Sequence, residues 1–272
     1  MGKFDGILIA TDLDATFLND KRQITPENKA AIEYFMSEGG YFTIATGRSI
    51  RGLGFVLDIF TPNAPLILYN GAMIFDLKTK KVLEESFLDP KLSGLLKKIE
   101  AEFSFAGIQV CSGNSAYITR DNSRIKHILK TENVTGNYRH FSEVEMPWRK
   151  AIFVQEADEL PIIREAIFAS EYKNICNVMQ SSPYYLEILP LSATKGNALK
   201  RVAGHLGISY DKTIGLGDNE NDIPLIKAAR YGIAVSNAIP QLLDVADIIT
   251  VDNNSHAIAK TIYDIEKNII KF

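Results

Sequence analysis

The sequence predicts an α/β fold: a doubly wound, mostly parallel sheet with a smaller α+β domain inserted in mid-chain. Three observations carry this reading. Up to residue 69, short apolar runs alternate with segments of helical spacing. Between residues 70 and 189 that alternation gives way to short strands separated by turn residues. From residue 191 the strand–helix alternation returns. A sheet interrupted once and then resumed divides the chain into a core of residues 1–83 plus 190–272 and an inserted domain of residues 84–189.

Residues 7–10 (ILIA) form an apolar run without helical spacing, ended by a polar cluster, as in a strand buried on both faces. Thr25-Pro26 reads as an N-cap followed by the first helical residue. The helix carries Ala30, Ala31, Tyr34 and Phe35 on one side and stops at Gly39-Gly40. Residues 41–45 are a second strand, ended by Thr46-Gly47-Arg48. A helix bearing Leu53, Val56, Leu57 and Phe60 follows, then a third strand at 66–69 ended by Asn70-Gly71. Such an order implies parallel strands with right-handed crossovers.

In the middle third, short strands are expected at 73–75 and 82–84, and Pro90 opens a helix holding Leu92, Leu95, Leu96 and Ile99. Residues 108–111 and 116–119 flank Ser112-Gly113-Asn114 as a hairpin. Residues 130–147 show no regular pattern. A strand at 151–155, a helix at 160–168 and a hairpin of 176–180 with 184–189 complete an α+β domain with two helices. Thr194 then caps a helix beginning at Lys195, with Leu199, Val202, Ala203 and Leu206 on its apolar face and Gly207 past its end. The strand at 213–216 ends in Gly217-Asp218-Asn219-Glu220-Asn221-Asp222, and a helix through Leu225, Ile226 and Ala229 follows. Strands at 232–235 and 248–251 and a helix with Ile258, Ile262 and Ile265 close the chain.

Composition narrows the function. With 30 Lys and Arg against 33 Asp and Glu, there is no basic excess to bind nucleic acid. No stretch reaches the ~20 apolar residues of a membrane helix, and the start lacks the apolar core of a signal peptide. Cys111 and Cys176 are too few for a zinc site, and the four histidines are scattered. The expected setting is cytoplasmic, without a membrane or nucleic-acid partner; oligomeric state is not legible.

The chemistry gathers at strand ends. Asp12 and Asp14 follow the first strand, Thr46-Gly47-Arg48 the second, and the 217–222 run a later one, while Lys195 begins the helix leading back into the sheet. In an open α/β sheet such ends converge on a ligand. A calcium loop does not fit either acidic run. Counting from Asp12, Phe17 and Gln23 stand where Gly and Glu are needed; from Asp218 those places hold Ile223 and Ala229. Crowded carboxylates repel unless a cation neutralises them, and magnesium accepts a few carboxylates together with phosphate oxygens. Asp12 is then free to attack phosphorus, with Asp14 protonating the leaving group and activating water. Thr46 and Lys195 hold the equatorial oxygens.

Together these motifs resemble the haloacid dehalogenase superfamily in its Cof-type (subfamily IIB) phosphatase branch. Asp12-Leu13-Asp14-Ala15-Thr16 is similar to the first motif of that family, Thr46 to the second, Lys195-Gly196 to the third, and Gly217-Asp218 with Asn221-Asp222 to the fourth. Asn70-Gly71, Glu187 and Ser236-Asn237-Ala238 also resemble that branch.

The resemblance implies a Rossmann-like core with an inserted cap that closes over the site. It implies Mg²⁺ held by Asp12, the backbone carbonyl of Asp14 and Asp218, with Asp222 or Asn221 in support, and phosphate and substrate contacts from Gly47, Arg48, Asn70 and Asn221. The activity it implies is hydrolysis of a small phosphorylated metabolite, a sugar phosphate foremost, through an aspartyl-phosphate intermediate. Phosphomutase chemistry, or a slow or inactive phosphate-ligand sensor, is the alternative. One departure stands out: the family usually has Gly where this chain has Ala15, so a positive φ there would strain the loop. Arg120, Tyr184, Tyr185 and Glu187 are candidates for substrate choice in the inserted domain.

Overall fold

The computed structural model describes residues 2–113, 115–132 and 135–272. It forms two compact units, Met1–Glu85 with Thr194–Phe272, and Ser86–Ala193. In chain order the first unit begins with β1 (Leu8–Thr11), α1 (Pro26–Ser37), β2 (Tyr41–Ile44), α2 (Gly54–Leu57), β3 (Leu66–Leu68), β4 (Met73–Asp76) and β5 (Lys81–Glu85). The second unit holds α3 (Leu92–Glu102), β6 (Gly107–Ser112), β7 (Ser115–Arg120), α4 (Ser123–Glu132), β8 (Trp148–Val154), α5 (Leu160–Phe168), β9 (Cys176–Ser182) and β10 (Tyr185–Pro190). The chain returns to the first unit with α6 (Lys195–Leu206), β11 (Thr213–Gly217), α7 (Ile223–Ala228), β12 (Tyr231–Ala234), α8 (Pro240–Leu243), β13 (Ile248–Ile249) and α9 (Ala257–Glu266).

The fold is α/β with a parallel sheet. Its five strands run in the order β13-β12-β11-β1-β2. Leu8 pairs with both Thr213 and Tyr41, and Thr11 with both Leu216 and Ile44, so β1, β2 and β11 end side by side. Alternation along β1 sends Leu8 and Ala10 into a cluster with Ala198, Leu199 and Val202 of α6 and Leu225 of α7. Ile9 and its neighbour Phe42 face the other way, where Phe42 meets Phe17 and Phe60 edge-on. Beyond β2, a parallel bridge between Ala45 and Ile67 reaches β3, which continues antiparallel through β4 to β5.

The Ser86–Ala193 unit is an antiparallel sheet ordered β7-β6-β8-β10-β9. Leu92, Leu95, Leu96 and Ile99 of α3 and Leu160, Ile163 and Ile167 of α5 share a core with Ile108, Val110, Ala151, Phe153, Leu186 and Ile188. Ile152 and Val154, alternating with Phe153 along β8, instead meet Ile118 of β7 and Ile125 of α4. Cys111 and Cys176 are free and buried.

Several elements differ from the sequence reading. The helix expected through Phe60 is a 3₁₀ turn, Arg51–Leu53, followed by the single turn of α2 that ends at Leu57, with the weak helix formers Gly52 and Gly54 inside these turns. The third strand stops at Leu68; Tyr69 turns away with φ of +50°. The second unit has a third helix, α4, which sequence reasoning missed; its apolar Ile125, Ile128 and Leu129 are spaced for a helix but diluted by charge. Asn114 of the expected 112–114 turn, and 133–134 of the irregular 130–147 stretch, lie outside the described residues. Among the described residues no helix is long and apolar enough to cross a membrane.

Candidate active site

Asp12 leaves β1 with its amide donating to Leu216 O at 2.8 Å, so the strand pairing fixes the start of the loop. Residues 13–17 form a wide turn closed by Leu18 N–H on Leu13 O at 2.9 Å. Inside it Ala15 has φ of +59°, the left-handed region that favours glycine. Holding alanine there costs about 1 kcal/mol relative to glycine. The loop is gripped from outside. Asn237 Nδ2 donates to Ala15 O at 2.9 Å, and Asn253 Nδ2 donates to Leu18 O at 3.1 Å. Thr16 Oγ1 donates to Asp218 Oδ1 at 2.7 Å, joining the loops after β1 and β11.

Lys195 is the first residue of α6, where Thr194 accepts from Asn197 N–H as N-cap. A cation at a helix N-terminus opposes the helix dipole, and burial alone would drive it neutral. Carboxylates reverse both effects. The Lys195 Nζ donates to Asp12 Oδ1 at 2.5 Å and to Asp222 Oδ1 at 2.6 Å, with both ammonium and carboxylates buried. Although burial opposes its charge, Asp12 and Asp222 hold the Lys195 pKa above its ordinary value. Gly196 lets α6 reach this depth, because a Cβ there would lie 2.0 Å from Pro224 O.

Asp222 is held by the 3₁₀ turn Glu220–Asp222, whose cap is Asn219. Its second oxygen, Oδ2, accepts from the amides of Asp218 and Asn219, each at 3.1 Å. Gly217 is required beneath it, since a Cβ would stand 2.3 Å from Asp222 Cβ. Asp12, Asp218 and Asp222 thus offer carboxylate oxygens all within 4.8 Å of one another. Burial, then the neighbouring Asp222, pushes Asp218 up to about 7. Burial likewise raises Asp12 well above the usual carboxylate range, against the pull of Lys195. Three carboxylates crowd beside one ammonium, Asp12 and Asp222 buried and Asp218 half-buried, and all the donors are oxygen. That donor set fits a hard divalent cation.

The other sequence-derived residues border this cluster. The carboxylate of Asp14 lies outside it and takes a two-pronged bond from Arg48, Nε to Oδ2 at 2.8 Å and Nη2 to Oδ1 at 2.7 Å. Thr46 follows β2, and its hydroxyl accepts from the Arg48 amide at 3.2 Å. Gly47 lies against the Asn70 amide group, which a Cβ would meet at 3.1 Å. Asn70 is fully buried; its amide donates to Thr46 O at 2.9 Å, and its side-chain oxygen accepts from Asn221 Nδ2 at 3.0 Å. Tyr69, Asn70 and Gly71 all have positive φ, +50°, +55° and +97°. Backbone strain of this kind persists only where surrounding bonds over-determine it.

In the second unit, the candidates for substrate choice have internal partners. Arg120 donates to the carbonyls of Ala106, Glu100 and Phe103, closing the C-terminal end of α3. The Arg124 guanidinium lies 3.9 Å from the Tyr184 ring centroid. Tyr185 packs with Ile118, Ile125, Ile152 and Val154. Glu187 is buried and paired with Lys150 at 2.9 Å. Sequence reasoning gave no task to Asn237 or Thr16 beyond their motifs, and none to Asn253. The only available signal for Asn237 was the Ser236-Asn237-Ala238 run.

Comparison with known proteins covers nearly the whole chain. A family model described as haloacid dehalogenase-like hydrolase matches residues 9–262. The Bacillus subtilis protein YxeH is 31% identical over 266 residues, spanning 95% of this chain and 97% of its own. The 5-amino-6-(5-phospho-D-ribitylamino)uracil phosphatase YcsE of the same organism is 30% identical over 260 residues, with 94% of each chain covered. A haloacid dehalogenase-like hydrolase from Bacteroides thetaiotaomicron superposes with a TM-score of 0.79 at 24% identity, covering 95% of this chain and 99% of that one.

Proposed function

We propose a catalytic mechanism from one premise: this chain belongs to the haloacid dehalogenase-like hydrolase family, and it is a phosphatase. Its substrate is a small phosphorylated metabolite, and the finer reading is a Mg²⁺-dependent phosphomonoesterase acting through a phosphorylated Asp12. The observation that carries this reading is the meeting of Asp12, Asp218 and Asp222 around the Lys195 ammonium.

Asp12 is the nucleophile. Its carboxylate stands at the end of a rigid strand, already beside a cation that offsets the charge of an approaching phosphate. Asp14 is the acid and base: it protonates the leaving oxygen, then takes the proton from the water that attacks the phosphoaspartate. Arg48 holds it until substrate arrives. Thr46, the Gly47 amide and Lys195 receive the phosphoryl oxygens, while Asn70 and Asn221 fix the loops around them. Asp12 and Asp218, with the Asp14 backbone carbonyl, are the residues to hold Mg²⁺. Asp222 supports the metal site from behind, its oxygens also engaged by Lys195 and by the amides of Asp218 and Asn219. A bound Mg²⁺ supplies charge neutralisation for the phosphoryl oxygens.

A sugar or polyol phosphate is the favoured substrate class. The name of YcsE specifies a phosphate on a ribityl chain, and that protein aligns with this one nearly end to end. The two free, buried cysteines accord with a reducing, cytoplasmic setting. The left-handed Ala15 leaves Asp12 within the acidic cluster, and turnover separates the phosphatase reading from the sensor alternative.

The test is phosphate release from p-nitrophenyl phosphate with and without Mg²⁺. Wild type is expected to turn over only with the metal, and Asp12→Asn to lose at least ~10³-fold in kcat. Equal rates for the two proteins would overturn the assignment of Asp12.

A further inference from the structure

The strained turn at Tyr69, Asn70 and Gly71 is held by more than the motif residues. Tyr69 N–H donates to Arg48 O at 3.2 Å and Asn70 N–H to Thr46 O at 2.9 Å, which ties the turn to the loop after β2. Gly71 backs directly onto the Thr194 carbonyl, where a Cβ would stand 2.3 Å away, so the turn touches the start of the helix that carries Lys195. Asn70 reaches the third strand end through Asn221. A single turn therefore touches the Thr46 loop, the Lys195 helix and the Asp218–Asp222 loop.

One further bond fixes it. Arg201, on α6 beyond Lys195, donates through Nη2 to Gly71 O at 2.7 Å. Its second terminal nitrogen, Nη1, donates to Glu84 Oε2 at 3.2 Å, and Glu84 Oε1 meets His205 Nε2 at 2.6 Å. The guanidinium is thus itself aimed by a carboxylate on β5, and that carboxylate is anchored a turn further along the same helix.

We propose that Arg201, braced by Glu84 and His205, is a positioning residue that keeps Asn70 in place through the Gly71 carbonyl. A hydrogen bond from a charged guanidinium to a carbonyl is roughly twice as strong as a neutral one, which lets it help hold a strained turn. Three consecutive left-handed residues, two of them bearing side chains, have a more extended state within reach once that bond is removed. Arg201 meets no reacting atom. Its influence passes through Gly71 to Asn70, and from Asn70 to Thr46 and Asn221.

The kinetic test rests on the phosphatase reading, and a second test does not. In a double-mutant cycle with p-nitrophenyl phosphate and Mg²⁺, Arg201→Met is expected to lower kcat/KM by about 10-fold, mostly in kcat. In an Asn70→Ala background the same change is expected to cost less than about 2-fold, because the path through Asn70 is already cut. An equal loss in both backgrounds, or none in either, overturns the proposal. If wild type itself shows no turnover, the phosphatase reading fails, and hydrogen exchange on the full chain decides the positioning role alone. Arg201→Met is expected to speed exchange of the Tyr69 and Asn70 amides about 10-fold or more while leaving amides in the middle of α6 unchanged. Unchanged exchange at Tyr69 and Asn70 overturns the role. Should Arg201→Met not fold, Arg201→Lys, which keeps the charge beside Glu84 but not the reach to Gly71, goes through the same measurements with the same criteria.

Discussion

Each of the two units buries a lysine against carboxylate, and the two arrangements differ in charge. In the Ser86–Ala193 unit, Lys150 Nζ donates to Glu187 Oε2 at 2.9 Å, and Ser181 Oγ donates to Glu187 Oε1 at 2.6 Å. A positive group meets a negative one and both carboxylate oxygens are engaged. In the other unit Lys195 faces Asp12 and Asp222 directly, with Asp218 alongside. Buried ion pairs seldom add net stability, but removing one partner is expensive. A matched pair is therefore complete as it stands. The unmatched cluster is held at the expense of carboxylates whose pKa values burial has raised, which is the condition of a site that stores charge for a ligand.

The largest expected effect separates the two lysines by function. Lys195→Met is expected to lower kcat/KM by about 10³-fold, or ~4 kcal/mol of transition-state stabilisation, in phosphate-release kinetics. Mg²⁺ is expected to recover part of the stability lost with it, because the metal takes over neutralisation of the same carboxylates. Lys150→Met is expected to destabilise by about 3 kcal/mol in urea unfolding, since the buried Glu187 loses its lysine partner. Mg²⁺ should not relieve that loss, while Lys150→Met with Glu187→Leu should recover most of it. Metal rescue of Lys150→Met would erase the distinction drawn between the two sites.

Titration sharpens the same contrast. The Asp218 pKa is pushed up to about 7 in the folded, metal-free chain, above the ordinary 3.8. Between those values the folded state binds more protons than the unfolded one, so stability falls as pH rises from about 4 through 7. On the proposed reading, Mg²⁺ binds the deprotonated carboxylate. The increase in Tm on adding Mg²⁺ is therefore expected to be larger at pH 8 than at pH 5, in thermal unfolding at fixed metal concentration. A metal-induced increase independent of pH would contradict the charge argument. The smallest effect is local: Ala15→Gly is expected to stabilise by about 1 kcal/mol in chemical denaturation, by relieving the left-handed alanine.

What could be read from sequence follows from range. The ILIA run and the Gly-bounded strands report burial and turn chemistry, which depend on a few neighbouring residues, so the parallel sheet and its strand ends were legible. So were the types of residue at those ends. α4 was hidden because its three apolar residues sit among charges over barely three turns, too little periodicity to separate from a loop. The helix after Arg48 was overread in length: its apolar spacing runs to Phe60, whereas the chain makes a 3₁₀ turn and one α-helical turn and leaves the helix after Leu57.

Side-chain partners at long separation left no local trace. Nothing around Arg120 indicates that it closes α3, and nothing around Asp14 indicates that its carboxylate turns to Arg48 rather than to the acidic cluster. The φ of Ala15 was posed by the motif as a question, and only the loop geometry answers it. Arg201 lies in an ordinary helical stretch, and its partners Gly71 and Glu84 are distant in the chain.

In the proposed mechanism a phosphoryl group passes through Asp12. Wild-type enzyme mixed with p-nitrophenyl phosphate and Mg²⁺, quenched in acid during turnover and mapped by mass spectrometry, tests this directly. The predicted result is a phosphoryl group on the peptide carrying Asp12, absent from Asp12→Asn and lost on brief treatment with hydroxylamine. A phosphorylated serine, threonine or histidine elsewhere in the chain, with Asp12 unmodified during active turnover, would contradict it.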